Sequence, residues 1–92
     1  MKPFSIYPYV AIDVETYGLN WWDKNHGIFG IAISYPDGSD YYFDIRRQPE
    51  GLEWLRNQRP LKIINHNMKF DLHMLWSAGV KYDPAICECT MV

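Results

Sequence analysis

At 92 residues, with 48% hydrophobic and 16% aromatic side chains, the chain can bury one small core, and domains this short are only marginally stabilised by burial. The net charge of −2 supplies no basic field to hold a nucleic-acid backbone, which counts against a simple DNA-binding module. The apolar runs are far too short to span a bilayer, and Met1-Lys2-Pro3-Phe4-Ser5 lacks the apolar stretch of a signal peptide. A cytoplasmic protein with no membrane partner is therefore expected.

Strand one is predicted over Tyr9 to Glu15. Val10, Ile12 and Val14 lie on one of its faces, Ala11, Asp13 and Glu15 on the other. Two same-face carboxylates at successive positions sit ~7 Å apart and repel each other in a half-buried setting. Their charge needs an outside partner, and a hard divalent cation such as Mg²⁺ suits carboxylate oxygens. An edge strand with a solvated acidic face is the competing reading, and this segment alone leaves both open.

Tyr17 to His26 reads as a loop holding Gly18, Asn20, Trp21 and Trp22. The tryptophans invite base stacking, but packing against a sheet edge or a partner domain is the expectation. Ile28 to Tyr35 is a second strand. Pro36-Asp37-Gly38-Ser39-Asp40 is a hairpin turn, and Tyr41 to Ile45 returns antiparallel. Gly51 to Gln58 reads as a short helix with Leu52 and Leu55 inside and Pro60 closing it. Leu61 to Asn65 is strand four. Lys69 to Ala78 is a second helix with Phe70, Met74 and Leu75 at helical spacing, ended by Gly79. Ala85 to Cys89 is strand five.

A hairpin followed by strand–helix–strand alternation indicates an α/β domain with a mixed sheet and a right-handed crossover. Cys87 and Cys89, the two cysteines of the chain, share a strand face and are poorly placed to bridge. No second pair completes a zinc site, so they are expected as reduced core thiols. His26, His66 and His73 form no ligand spacing and are expected to be structural.

Two segments together carry a resemblance. Asp13-Val14-Glu15 matches the opening Asp-x-Glu of the DEDD-type 3′–5′ exonucleases, and Asn67-Met68-Lys69-Phe70-Asp71 matches their Asn-x-x-Phe/Tyr-Asp. Thr16, Gly18 and Leu19 fit the Thr-x-Gly-Leu that follows the first motif. Thr90-Met91 resembles a strand end of the proofreading domains in polymerase-I-like (family A) DNA polymerases. The likeness runs from about Val10 to Val92.

The resemblance implies a ribonuclease-H-like mixed sheet of about five strands with helices packed on it, strand one central and strand four beside it. It implies phosphodiester hydrolysis with two divalent cations, Mg²⁺ or Mn²⁺, held ~4 Å apart. Asp13 would bridge both ions, Glu15 would bind one and help orient the attacking water, and Asp71 would complete the site from its helix. An acid early in a helix also complements the helix dipole with no catalysis involved. Thr16 and Leu19 would contact the terminal nucleotide. Asn67 is either a loop cap or a contact to the substrate strand, and Phe70 is expected mainly in the core, with substrate binding as its other role.

The family also requires a fourth acid from a later helix, within Tyr-x-x-x-Asp or His-x-x-x-x-Asp. Asp83 precedes Pro84 and Glu88 has no matching Tyr or His, so that motif is absent. Residues 1–92 are expected to form a single, partial exonuclease domain, truncated at the C-terminus and completed elsewhere, with a polymerase domain as partner. The expected substrate is a single-stranded 3′ end of DNA, and the compartment is the host cytoplasm if the source is viral. An RNA-trimming enzyme of ribonuclease D type and a catalytically silent binding module of the same fold are the alternatives.

Overall fold

Strict alternation along Val10–Thr16 produces a strand with one apolar edge of side chains, and the rest of the fold is arranged around it. The computed structural model describes residues 2–17 and 27–89. Its strands are β1 (Val10–Thr16), β2 (Ile28–Ser34), β3 (Asp40–Asp44), β4 (Ile63–Asn65) and β5 (Cys87–Cys89), and its helices are α1 (Glu50–Arg56) and α2 (Met68–Ser77). They form a five-stranded sheet in the order β3-β2-β1-β4-β5. β1 pairs antiparallel with β2 and parallel with β4, so the sheet is mixed. This is the ribonuclease-H-like α/β arrangement expected from the motifs, with β1 in the centre. The loop residues Gly18, Leu19, Trp21, Trp22 and His26, and the Thr90-Met91 pair, lie outside the described residues.

Register sorts the side chains. Ile12 faces Ile33, Val14 faces Ile31, Ile31 faces Phe43 and Val10 faces Ile63, which makes one apolar face. Leu52 and Leu55 of α1 and Met74 and Leu75 of α2 join these residues in a single core. On the other face, Asp13 stands opposite Ala32 and Glu15 opposite Gly30. Among the described residues that face carries no helix, and its side chains are largely exposed or half-buried.

Several boundaries shift from those read in the sequence. Phe4 begins a 3-10 turn over Phe4–Ile6 and is fully buried, packing edge-on against Trp54 at 5.1 Å. Pro60 and the exposed Leu61 stay outside β4, which begins at Ile63. β5 begins at Cys87 because Asp83 and Pro84 start a 3-10 turn, with the Asp83 carboxylate accepting from Ala85 N–H at 2.9 Å. Gly79 ends α2 with φ 87°, which lets Val80 N–H return to the Leu75 carbonyl at 2.9 Å.

Two expectations about burial are corrected. Phe70 is 42% exposed, because the buried stripe of α2 runs through Met68, Asp71, Met74 and Leu75, with Met74 at its margin, and leaves Phe70 beyond that margin. Cys87 and Cys89 do share a strand face, but Cys87 is half-buried and Cys89 exposed. They sit on the outermost strand, beyond which no further strand pairs among the described residues. Both remain reduced, the Cys87 thiol donating to Asp83 O and the Cys89 thiol to His66 O.

Candidate functional site

The site forms where β4 stops and β1 continues. The backbone groups of Val10, Ile12 and Val14 point toward β4. Val10 N–H donates to Lys62 O at 3.0 Å, and the parallel register ends at the Ala11–Ile64 pair. Beyond that point the chain turns away into α2, which would leave the next polar groups of β1 without ladder partners. Two side chains take over. Asn65 donates its amide to Ile12 O, and Asp71 accepts Val14 N–H at 3.1 Å.

Asn65 ties the two together. Its side-chain amide also donates to the same Asp71 oxygen at 2.8 Å, and its oxygen accepts Asn67 N–H at 2.6 Å. Asn65 and Asp71 are both 4% exposed, the two buried polar or charged residues among those described. Asn65 therefore holds the start of α2 and the acid of its first turn against β1. Sequence reasoning passed over Asn65, since an Asn at the end of an apolar run reads simply as the start of a turn.

Burial pushes the Asp71 carboxyl above its ordinary value, and the charge of Asp13 adds to the rise. The bonds from Asn65 and from Val14 N–H act in the opposite direction. Asp13 is thus near enough for its charge to act on Asp71, although the two acids start from different faces. Asp13 and Glu15 stand on the uncovered face of the sheet, and Asp71 comes from the helix on the core side. Asp13 lines an open depression of about 310 Å³ with Ala11, Ala32, Ser34, Ile64 and His66.

Glu15 lies farther along, over β2. Its Oε1 is 3.0 Å from the point a Cβ on Gly30 would occupy, and the Tyr42 hydroxyl is 2.0 Å from the same point. The phenol of Tyr42 is held above its usual value first by bonding to the Glu15 carboxylate, then by burial. Thr16 is half-buried at the end of β1. Asn67 occupies the N-cap of α2 without a side-chain cap bond, so the capping role considered for it is not what its side chain does. Asn67 and Phe70 instead border a surface depression with Lys69 and His73.

Among the described residues no three His, Cys, Asp or Glu side chains lie close enough together to hold a metal ion, so Asp13, Glu15 and Asp71 are not drawn into one cluster. The donors nevertheless suit a hard cation. All three acids offer carboxylate oxygens, Asp13 and Glu15 are exposed, and both bonds that anchor Asp71 fall on one of its two oxygens. Among the described residues no helix is long and apolar enough to cross a membrane.

A mixed five-stranded sheet with Asp13 and Glu15 on its central strand and Asp71 bonded to that strand from α2 is compatible with the ribonuclease-H-like α/β class. The family model described as 3′-5′ exonuclease matches residues 2–92, and the chain belongs to that family. The match takes in Phe4 as well as the span from Val10 onward. The chain is 41% identical over 88 residues to a DNA polymerase, DpoZ, of Acinetobacter phage SH-Ab 15497. It is 43% identical over 88 residues to DpoZ of Salmonella phage PMBT28. Each alignment covers 94% of this chain and 14% of the relative. DpoZ of Vibrio phage phiVC8 is 42% identical over 80 residues, covering 84% of the chain and 12% of the relative. The chain thus spans about one seventh of the length of the curated relatives it matches.

Proposed function

We propose that the chain carries the first three carboxylates of a two-metal 3′–5′ exonuclease site that removes nucleoside 5′-monophosphates from single-stranded DNA ends during proofreading. The observation that carries this reading is Asp71, a buried carboxylate fastened to the β1 backbone within the electrostatic reach of Asp13. A merely dipole-complementing acid would be solvated at the helix start. Here an acid is kept in a place where its ionised form is disfavoured, as functional carboxylates often are.

Asp13, Glu15 and Asp71 would hold the two cations, Mg²⁺ or Mn²⁺. When bound, such ions lower the pKa of a water and stabilise the charge that develops on a leaving oxygen. The exposure of Asp13 beside the depression supports its role as a ligand common to both ions. Asp71 presents its remaining oxygen from an orientation fixed by Asn65 and Val14 N–H. Glu15 orients the attacking water. Thr16, Leu19, Asn67 and Phe70 meet the terminal nucleotide, and the exposure of Asn67 and Phe70 supports that assignment. Residues 1–92 form one unit of the exonuclease domain. The fourth acid comes from another part of the protein, in the host cytoplasm, alongside a polymerase domain. The names of the phage relatives favour DNA over RNA.

The test is release of mononucleotides from a 3′-labelled single strand by the full-length protein with Mn²⁺. Asp13→Ala should lower it by more than about 100-fold, the scale on which losing one preorganised electrostatic stabiliser acts. Undiminished release by Asp13→Ala would end the metal-bridging reading, and a strong preference for RNA would move the assignment to the ribonuclease D type.

A further inference from the structure

Tyr42, on a strand that none of the sequence motifs reaches, faces the same side of the sheet as Glu15 and meets it over Gly30. The register places Glu15 opposite Gly30, and Tyr42 opposite Ala32, so the tyrosine ring leans back along β2 to bring its hydroxyl above the glycine. Only the absence of a side chain at position 30 leaves that path open. A Cβ there would stand 2.0 Å from the Tyr42 hydroxyl, 2.8 Å from its ring carbon Cζ and 3.0 Å from Glu15 Oε1. Gly30 is itself buried beneath this pair, in the middle of a strand where glycine is otherwise unfavourable. Tyr42 is 44% exposed, so its ring is not there to fill the core.

We propose that Tyr42 is a positioning residue for Glu15: its hydroxyl fixes one carboxylate oxygen over Gly30 and leaves the other to a divalent cation shared with Asp13. The proposal rests on the metal-site reading above. Its physical basis is that a solvent-exposed glutamate has several free torsions, and coordinating an ion freezes them at an entropic cost. A phenol that already restrains the carboxylate removes part of that cost before the ion arrives. Hydrogen-bonded partners of metal-ligating carboxylates commonly contribute about 10–100-fold in metal affinity or activity.

Two substitutions break the arrangement differently. Tyr42→Phe deletes the hydroxyl and keeps the ring. Gly30→Ala keeps the hydroxyl and inserts a methyl group where it and Glu15 meet. The experiment titrates Mn²⁺ into the full-length protein without DNA, reading bound ion by electron paramagnetic resonance. In parallel, the Mn²⁺ concentration for half-maximal nucleotide release is measured. Tyr42→Phe should weaken Mn²⁺ binding about 10-fold and raise the half-maximal concentration by the same factor, while kcat at saturating Mn²⁺ stays within about 3-fold of the parent. Gly30→Ala should shift both in the same direction. Glu15→Gln serves as the reference. If it loses Mn²⁺ while Tyr42→Phe binds as the parent does, the role of Tyr42 is overturned and the metal site stands. If Glu15→Gln binds Mn²⁺ undiminished, the metal assignment of Glu15 falls and the role of Tyr42 with it. Tighter binding by Tyr42→Phe would also overturn the proposal, since the phenol would then be competing with the ion.

Discussion

Replacing Asn65 with alanine removes the residue that closes the gap between β4 and α2. The Ile12 carbonyl loses its donor, Asp71 loses one of the two donors on its anchored oxygen, and Asn67 N–H loses its acceptor. Asn67 is exposed and its N–H can turn to water, so it adds little. A buried carbonyl left unpaired costs about 1–3 kcal/mol, and a hydrogen bond to a charged group contributes about 1.5–3 kcal/mol. Together these give about 3–4 kcal/mol, a large share of the roughly 5–15 kcal/mol that holds a domain folded. The loss should be local to β1 and the start of α2. Hydrogen exchange of the full-length protein, followed by mass spectrometry, reads it directly. Amides of residues 10–16 and 68–72 should exchange about 100- to 1,000-fold faster than in the parent, as 1.4 kcal/mol corresponds to tenfold. The β2–β3 hairpin, which takes part in none of these three bonds, should be little changed. A change below about fivefold at Val14 and Asp71 would refute the ladder-completing role of Asn65.

Two further outcomes follow from buried groups. The Asp71 carboxyl is raised in the folded state, so its contribution to stability is present at low pH and is lost as the pH rises through the raised pKa. In chelator, Asp71→Asn should therefore protect α2 relative to the parent at neutral pH. The difference should close below the ordinary carboxylate range, and the same exchange measurement at two pH values checks it. Tyr82 donates its hydroxyl to Leu55 O at 2.6 Å, and burial pushes its phenol far above the usual value. Tyr82→Phe should destabilise α1 by about 1–2 kcal/mol, seen as faster exchange of residues 50–56 with no change at β1.

The alternation of Val10, Ile12 and Val14 with Asp13 and Glu15 made the two faces of β1 legible, because strand periodicity separates them with no tertiary information. The hairpin was legible from Asp37-Gly38 for the same local reason. Asn65 was not, since its function depends on where β4 ends relative to β1, which is a relation between segments far apart in sequence. Phe70 was misplaced because its spacing to Met74 fixes two positions on α2 but not which arc of the helix meets the sheet. That arc is set by Asp71, a charged residue that pattern reading assigns to the outside. Tyr42 was invisible in the same way. Its strand reads as an ordinary hairpin arm, and only the register over Gly30 brings it to Glu15.

The bond from Val14 to Asp71 joins residues 57 positions apart. A chain leaving the ribosome completes β1, β2 and β3 long before position 71 is made, and those strands can pair through local hairpin contacts. Such an intermediate holds Asp13 and Glu15 on an open surface without their third partner. Asp71 reaches Val14 only once the parallel pairing of β1 with β4 closes and α2 docks, which are the slow, non-local steps of folding this topology. The Val14–Asp71 bond is therefore a report of completed folding.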